Sequence, residues 1–359
     1  MNTKNHNIQT LRSIAIFMVI VQHLHRLPIP TWLATTYSSA SYWTGVDIFL
    51  AISGFLMCKS LEREIETKGR CIKAFLSFFF KRIFRLMPAL IFWCLFCLAL
   101  AFIIKPFMGV SVSKSLDTLF YSIFGVSNLF YFEETISGVS YDPLLSVTWS
   151  LSLEWQLYLV LALLSLTLKG KFFPICLLAI VILASILLPS SENHQESIGW
   201  WIRPQAFLLG SLIYLYQDFL KKLIRNNTLI ILAFLISIFS IVYLTNFIAP
   251  AYKLIFIGLL GAIAFLLYGI CLHPFNLNIF NWIGDRSYSI YLCHIPAMIL
   301  TKKMLDGLLI NSVLINNSFI YVFSFLTLTA LLSDFSYRLV EQPFIRFYKH
   351  ISTYQIVKQ

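Results

Sequence analysis

Ten stretches dominate the chain in which apolar side chains run almost unbroken: 8–27, 42–58, 88–107, 147–168, 172–189, 201–218, 228–246, 252–272, 286–304 and 319–340. A helix rising 1.5 Å per residue needs roughly 20 residues to cross a hydrocarbon core, so each stretch predicts a transmembrane helix. The longest segment predicted as a cytoplasmic loop, 59–87, is charged and ends in Phe78-Phe79-Phe80-Lys81-Arg82-Ile83-Phe84-Arg85. Lys81 to Arg85 is expected to form a short interfacial helix, with Pro88 opening the next span. The stretch 116–131 is apolar enough to count as a further span. Counting it would put Lys169, Lys171, Lys221, Lys222 and Arg225 outside, so it is read as an outer-face re-entrant or interfacial helix.

Composition agrees with this all-α membrane architecture. The chain is 58% hydrophobic and 12% charged, with mean hydropathy +0.79, whereas a soluble domain carries about 25% charge. The 33 Phe suit lipid-facing helices and interfacial belts. The net charge of +11 invites a nucleic-acid reading, but its distribution argues against one. With the N-terminus inside, cytoplasmic segments hold Lys4 and Arg12, the eight basic residues from Lys59 to Arg85, Lys169, Lys171, Lys221, Lys222, Arg225, Arg286, Arg338, Arg346, Lys349 and Lys358. This asymmetry predicts N-in, C-in topology. Anionic lipid or a cofactor phosphate are the partners it suits.

Residues 1–350 are read as one membrane domain and 351–359 as a cytoplasmic tail, without a linker, an internal repeat or a cleavable signal peptide. Cys94 and Cys97 have CxxC spacing, but inside an apolar helix they are expected to be small packing residues, and no metal-ligand cluster is seen.

The chemistry begins with Arg12 and His23, eleven residues apart on the first span. Eleven steps of 100° make about three full turns, so both lie on one stripe, about 16 Å apart along the axis. Ionisable residues at such depth are expensive, which makes them functional candidates. Alone, His23 would equally suit an interfacial histidine with a polar partner. In Gly45-Val46-Asp47…Ser53-Gly54-Phe55, the glycines permit close helix approach and Ser53 can hydrogen-bond across the interface. Asp47, near the outer end, either orients an imidazole, pairs with a cation or satisfies the helix dipole. Arg82 and Arg85 share a helix face, as bidentate phosphate ligands or as ordinary positive-inside anchors. Glu154 and Tyr158 share another face, and a carboxylate there calls for a cavity or a cation such as Arg203. His294, followed by Pro296, suits a buried structural histidine at least as well as a catalytic one. Glu341 and Pro343 suggest a helix cap or an ion pair.

Taken in order, these segments resemble the acyltransferase-3 family, bacterial membrane proteins that O-acylate envelope sugars. The signals are Arg12-x10-His23, Gly45 to Phe55, Arg82-x-x-Arg85, Trp149-Ser150-Leu151-Ser152-x-Glu154-x-Gln156, Ser287 to Pro296, and Glu341-x-Pro343. The resemblance implies a ten-helix fold in the bacterial inner membrane, a cytoplasmic acyl-CoA donor such as acetyl-CoA, and a carbohydrate or lipid-linked saccharide acceptor outside. It places the essential histidine at His23 and the conserved arginine at Arg12. The CoA-associated pair falls at Arg82 and Arg85, with Ser53 grouped among the donor-binding residues. Where many members carry Glu-Glu-Gln, Trp155 stands here for the second acid. The hydrolase-like domain fused to some relatives is not in this sequence, so transfer is expected to finish here or with a separate partner.

The expected reaction is O-acetyl transfer from acetyl-CoA, with no metal. His23 would act as general base or as acyl carrier, with Asp47 or Glu154 fixing its tautomer. The rival is a proton-coupled exporter or flippase of lipid-linked saccharide, which would also bury Arg, His and Glu. An inactive relative that binds donor or partner without turnover is a third reading.

Overall fold

The computed structural model describes residues 5–140, 142–273, 277–308 and 317–357, with side chains described up to residue 351. Among them every regular element is helical. The chain runs α1 (His6–His23), α2 (Thr31–Thr36), α3 (Gly45–Lys68), α4 (Ile72–Ile104), α5 (Val112–Ile123), α6 (Ser127–Ile136), α7 (Thr148–Thr167), α8 (Phe172–Leu187), α9 (Ile198–Trp201), α10 (Gln205–Leu223), α11 (Asn227–Tyr243), α12 (Pro250–Ala264), α13 (Asn278–Leu308), α14 (Ser318–Ser336) and α15 (Gln342–Val357). π-Helical turns extend α12 (Phe265–Cys271) and join α14 to α15 (Tyr337–Glu341).

Each of the ten apolar stretches falls on a helix. Among the described residues, six helical segments are long and apolar enough to cross a membrane: Tyr42–Lys68, Ile72–Ile104, Thr148–Thr167, Asn227–Phe247, Pro250–Cys271 and Ser318–Ile351. α8 is apolar but has only 16 residues. α1 and α13 carry polar residues such as Arg12 and Asp285 that line an internal cavity, which lowers their hydropathy. The chain is a membrane protein with a polar interior.

Three boundaries differ from expectation. Segment 59–87 is not a loop: α3 runs on to Lys68, and α4 takes up at Ile72 and passes through Pro88. Hydropathy marks where lipid ends, but the helix continues on its own i, i+4 pairing, Lys68 to Glu64 at 2.6 Å. Gly69, at φ 77°, then makes the tight reversal that residues with a Cβ resist. Pro88 is accommodated within α4, and in the turn around it the Tyr288 hydroxyl donates to Leu86 O at 2.8 Å. Segment 116–131 is two short helices, α5 and α6, broken where Gly125 takes φ 69°. The last helix does not end at Glu341 but turns through the π segment into α15, which runs to Val357.

Asparagines start several helices, each side chain accepting from backbone N–H groups of the first turn: Asn5 for α1, Asn226 for α11, Asn317 for α14. Close packing sets the centre. A Cβ on Gly54 would lie 1.8 Å from Phe207 O, and one on Gly210 2.0 Å from Ala51 O, so α3 and α10 meet backbone to backbone. α1 packs between α3 and α13, and from Ser289 to Ile299 every α13 side chain is buried. Cys94 and Cys97 are buried packing thiols. The polar layer between α6 and α7 is an amide pair: Gln156 Nε2 donates to Asn128 Oδ1 at 2.8 Å, and Asn128 Nδ2 returns a bond to Gln156 Oε1 at 3.1 Å.

Candidate active site

The two ends of α1 open into two different cavities. Arg12 lines the first, which encloses about 890 Å³ including its mouth. It is walled by Arg82 and Arg85 from α4, Ser53 from α3, Glu154 and Tyr158 from α7, and Asp285 and Tyr288 from α13, with Glu341 below. The three arginines grade inward, from exposed Arg85 through half-buried Arg12 to buried Arg82. Among the described residues none of the three is within ion-pair distance of a carboxylate, and Arg82 Nε is buried without a hydrogen-bond partner. The two glutamates of the same lining are held by serines: Ser53 donates to Glu154 and sits 3.1 Å from the Tyr158 hydroxyl, while Ser289 donates to Glu341. The three guanidinium groups therefore line the cleft without a carboxylate partner among the described residues, and planar guanidinium groups of this kind suit phosphate oxygens.

His23 lines the second cavity, about 1440 Å³ including its mouth, with Gln22, His25, Arg26 and Asn246. Four tryptophans, Trp43, Trp149, Trp200 and Trp201, form one wall. Trp43 and Trp200 meet edge to face at 4.3 Å, and His194 stacks on Trp43 at 5.4 Å. No Asp or Glu is among the described lining residues.

The geometry fixes the His23 ring. Its Nδ1 lies 2.9 Å from Val19 O, and a carbonyl can only accept, so Nδ1 carries the proton. His294 Nδ1 likewise donates to Tyr291 O at 2.8 Å, which leaves the lone pair of the neutral ring on Nε2, 3.3 Å from His23 Nδ1. His23 Nε2 is then the bare nitrogen. The ring centroids are 5.1 Å apart. Neither Asp47 nor Glu154 orients His23, contrary to expectation; Val19 O and His294 do. Sequence reading weighed His294 as structural because spacing alone cannot show that α13 lays it beside α1.

Asp47 belongs to the scaffold. It is 1% exposed, with Oδ1 3.2 Å from Arg203 Nε. Of the roles the sequence left open, Asp47 takes the pairing with a cation, Arg203, and Glu154 faces a cavity instead of that arginine. Its guanidinium carbon lies 5.3, 4.9 and 4.0 Å from the rings of Trp43, Trp149 and Trp200, behind the aromatic wall. Glu154 lines the arginine cavity, and Trp155 packs on Tyr158 at 5.7 Å. Among the described residues no group of His, Cys, Asp and Glu could hold a metal.

The bundle thus carries an arginine-lined cleft along α1 on one side and a pair of imidazoles at its far end on the other. A family model described as an acyltransferase domain matches residues 5–338, and the chain belongs to the acyltransferase-3 family. It is similar to O-acetyltransferase OatA of Staphylococcus aureus strain NCTC 8325 / PS 47, 28% identical over 93% of this chain and 56% of that protein. It is also similar to the Putative O-acetyltransferase SACOL0978 of strain COL, 26% identical over the same shares. The chain spans about half the length of the curated relatives it matches. No solved structure matches it significantly.

Proposed function

We propose that this protein is a membrane O-acyltransferase that moves a small acyl group, most simply acetyl, from cytoplasmic acyl-CoA to a hydroxyl of an envelope carbohydrate. The observation that carries the reading is the division of α1: Arg12 faces a cleft with Arg82 and Arg85, none of the three paired with a carboxylate among the described residues, and a tautomer-fixed histidine stands at the other end. The separation, about 16 Å along the helix, suits an extended pantetheine arm. In this reading the bundle crosses the bacterial inner membrane ten times, N-in and C-in, with the arginine cleft cytoplasmic.

Arg82 and Arg85 take the CoA phosphates, and Arg12 guides the arm inward. Ser53, hydrogen-bonded to Glu154, lies on its path. The acceptor sugar lies in the second cavity, where tryptophan faces suit pyranose rings. His23 Nε2 accepts the proton of the sugar hydroxyl as its oxygen attacks the thioester carbonyl. The C–S bond breaks, and the thiolate leaves with the proton returned from His23. Acyl transfer through His23 itself would use the same bare nitrogen as nucleophile.

The test is purified protein in lipid nanodiscs with acetyl-CoA labelled in the acetyl group, as wild type, His23→Ala and an Arg82→Ala/Arg85→Ala double variant. Acetyl-CoA is expected to bind to wild type and His23→Ala and to bind weakly to the double variant, with CoA release confined to wild type. Full transfer by His23→Ala would overturn the catalytic assignment. A wild type that ignores CoA and responds to a proton gradient would favour an exporter.

A further inference from the structure

The two cavities share two lining residues, Val46 of α3 and Tyr291 of α13. Both are buried, at 7% and 6% exposure. The Tyr291 ring lies edge-on to Phe49, a wall of the arginine cavity, at 6.5 Å. It also lies 5.9 Å from the ring of His294, the partner of His23. Its hydroxyl is tied to α7: 2.6 Å from Ser150 Oγ, and 3.1 Å from Val147 O, which can only accept. Ser150 lines the arginine cavity and Val147 the tryptophan cavity. The phenol of α13 thus stands between the cavities, tethered to the start of α7.

We propose that Val46 and Tyr291 form a fixed septum which only the acyl end of the donor crosses, and that this septum sets the acyl chain length. The inference rests on the acyl-CoA reading above. The reason is mechanical. Turning the phenol aside would break buried hydrogen bonds, and a close-packed wall does not yield gradually to added methylenes. The apolar Val46 side chain therefore acts as a stop. A two-carbon acyl group passes it to reach His23, and each further methylene meets α3. The same wall keeps the nucleotide of CoA and the saccharide in separate chambers.

The experiment is competition binding of free CoA, acetyl-CoA, butyryl-CoA and hexanoyl-CoA to the full chain in nanodiscs, which needs neither acceptor nor turnover. Wild type is expected to bind acetyl-CoA at least about tenfold tighter than butyryl-CoA, the discrimination methylenes meet in a closed apolar pocket. Val46→Ala should narrow that ratio about tenfold, and Val46→Leu should widen it. Tyr291→Phe, which keeps the ring and releases the tether, should also narrow it. If free CoA binds all four proteins but the ratio is the same in each, the septum is refuted and the donor reading stands. If free CoA and the acyl-CoAs bind none of them, the donor reading itself falls, and the septum with it.

Discussion

The arginine cavity and the tryptophan cavity share α1, α3, α7 and α13 in their walls yet are chemically opposite. One holds three guanidinium groups, three carboxylates and three phenols; the other is aromatic and imidazole-rich, with no acid in its described lining. The difference teaches how one fold can serve two ligands. α1 and α7 each present a charged side chain to the first chamber and an imidazole or aromatic one to the second. Arg12 and His23 on α1 are the plainest case, and Glu154 and Trp149 on α7 repeat it. Arg26 is a charge in the lining of the aromatic chamber, while the Asp47–Arg203 pair is kept behind the tryptophans rather than in the lumen.

The sharpest way to break this comparison is at the two ends of α1. His23→Ala should lower acyl transfer by about 10²–10⁴, the usual share of a general base, without weakening acetyl-CoA binding. Equal loss of binding would mean the chambers are not separable. The Arg82→Ala/Arg85→Ala double variant should do the reverse, weakening CoA by at least about a hundredfold if two charge-assisted phosphate contacts are lost, each contributing about 1.5–3 kcal/mol. Calorimetry with free CoA measures it.

Asp47→Ala tests whether the pair behind the tryptophans is scaffold. Breaking a buried pair by removing one partner costs about 3–5 kcal/mol. Loss of folded protein in detergent melts is therefore expected, beyond any effect on chemistry. Asp47→Ala that melts like wild type but fails to transfer would return Asp47 to the reaction. His294→Phe should lower transfer by about tenfold with the donor still bound, the worth of one net hydrogen bond holding the His23 ring. Partial recovery in His294→Asn, through an amide oxygen that can accept from Nδ1–H, would separate orientation from packing.

The smallest effect concerns the wall of the tryptophan chamber. Burial first, then the nearby Arg203 and Lys253, hold the His194 imidazole down to about 4 from its ordinary 6.5. The unfolded chain therefore binds more protons than the folded one between those values, and His194's contribution to stability falls as pH drops from 6.5 towards 4. Asp142 works in the opposite sense, its carboxyl pushed up to about 6 chiefly by burial, so it loses stability as pH rises through that value. Comparing melts of wild type and His194→Phe across pH 4 to 7 isolates the histidine. The variant's curve should lose less on acidification, and identical curves would mean His194 ionises freely.

Much of the chamber at the Arg12 end was legible in the residue order. Arg12, Arg82, Arg85 and Glu154 were identifiable because polar groups inside apolar spans are costly and so stand out. Ser53 was visible only as part of a small-residue stretch. The tryptophan chamber was not legible, since aromatic residues are unremarkable in a membrane chain until α7, α9 and the segment before α3 converge. The partner of His23 was hidden for a related reason: 271 residues separate it from His294. No periodicity within one helix reports contact between two.

The sequence by itself determined that the chain is helical and membrane-embedded, where its apolar stretches lie, and that Arg12 and His23 share one stripe. These follow from local rules of hydropathy and helical pitch. Only the tertiary structure decided that α3 and α4 run on through a charged segment, that Asp47 pairs with Arg203, that His294 holds His23, and that Val46 and Tyr291 stand between two chambers. Those outcomes depend on which helices approach closely. That depends on packing at sites such as Gly54 and Gly210, where the absence of a side chain matters only because another backbone lies against it.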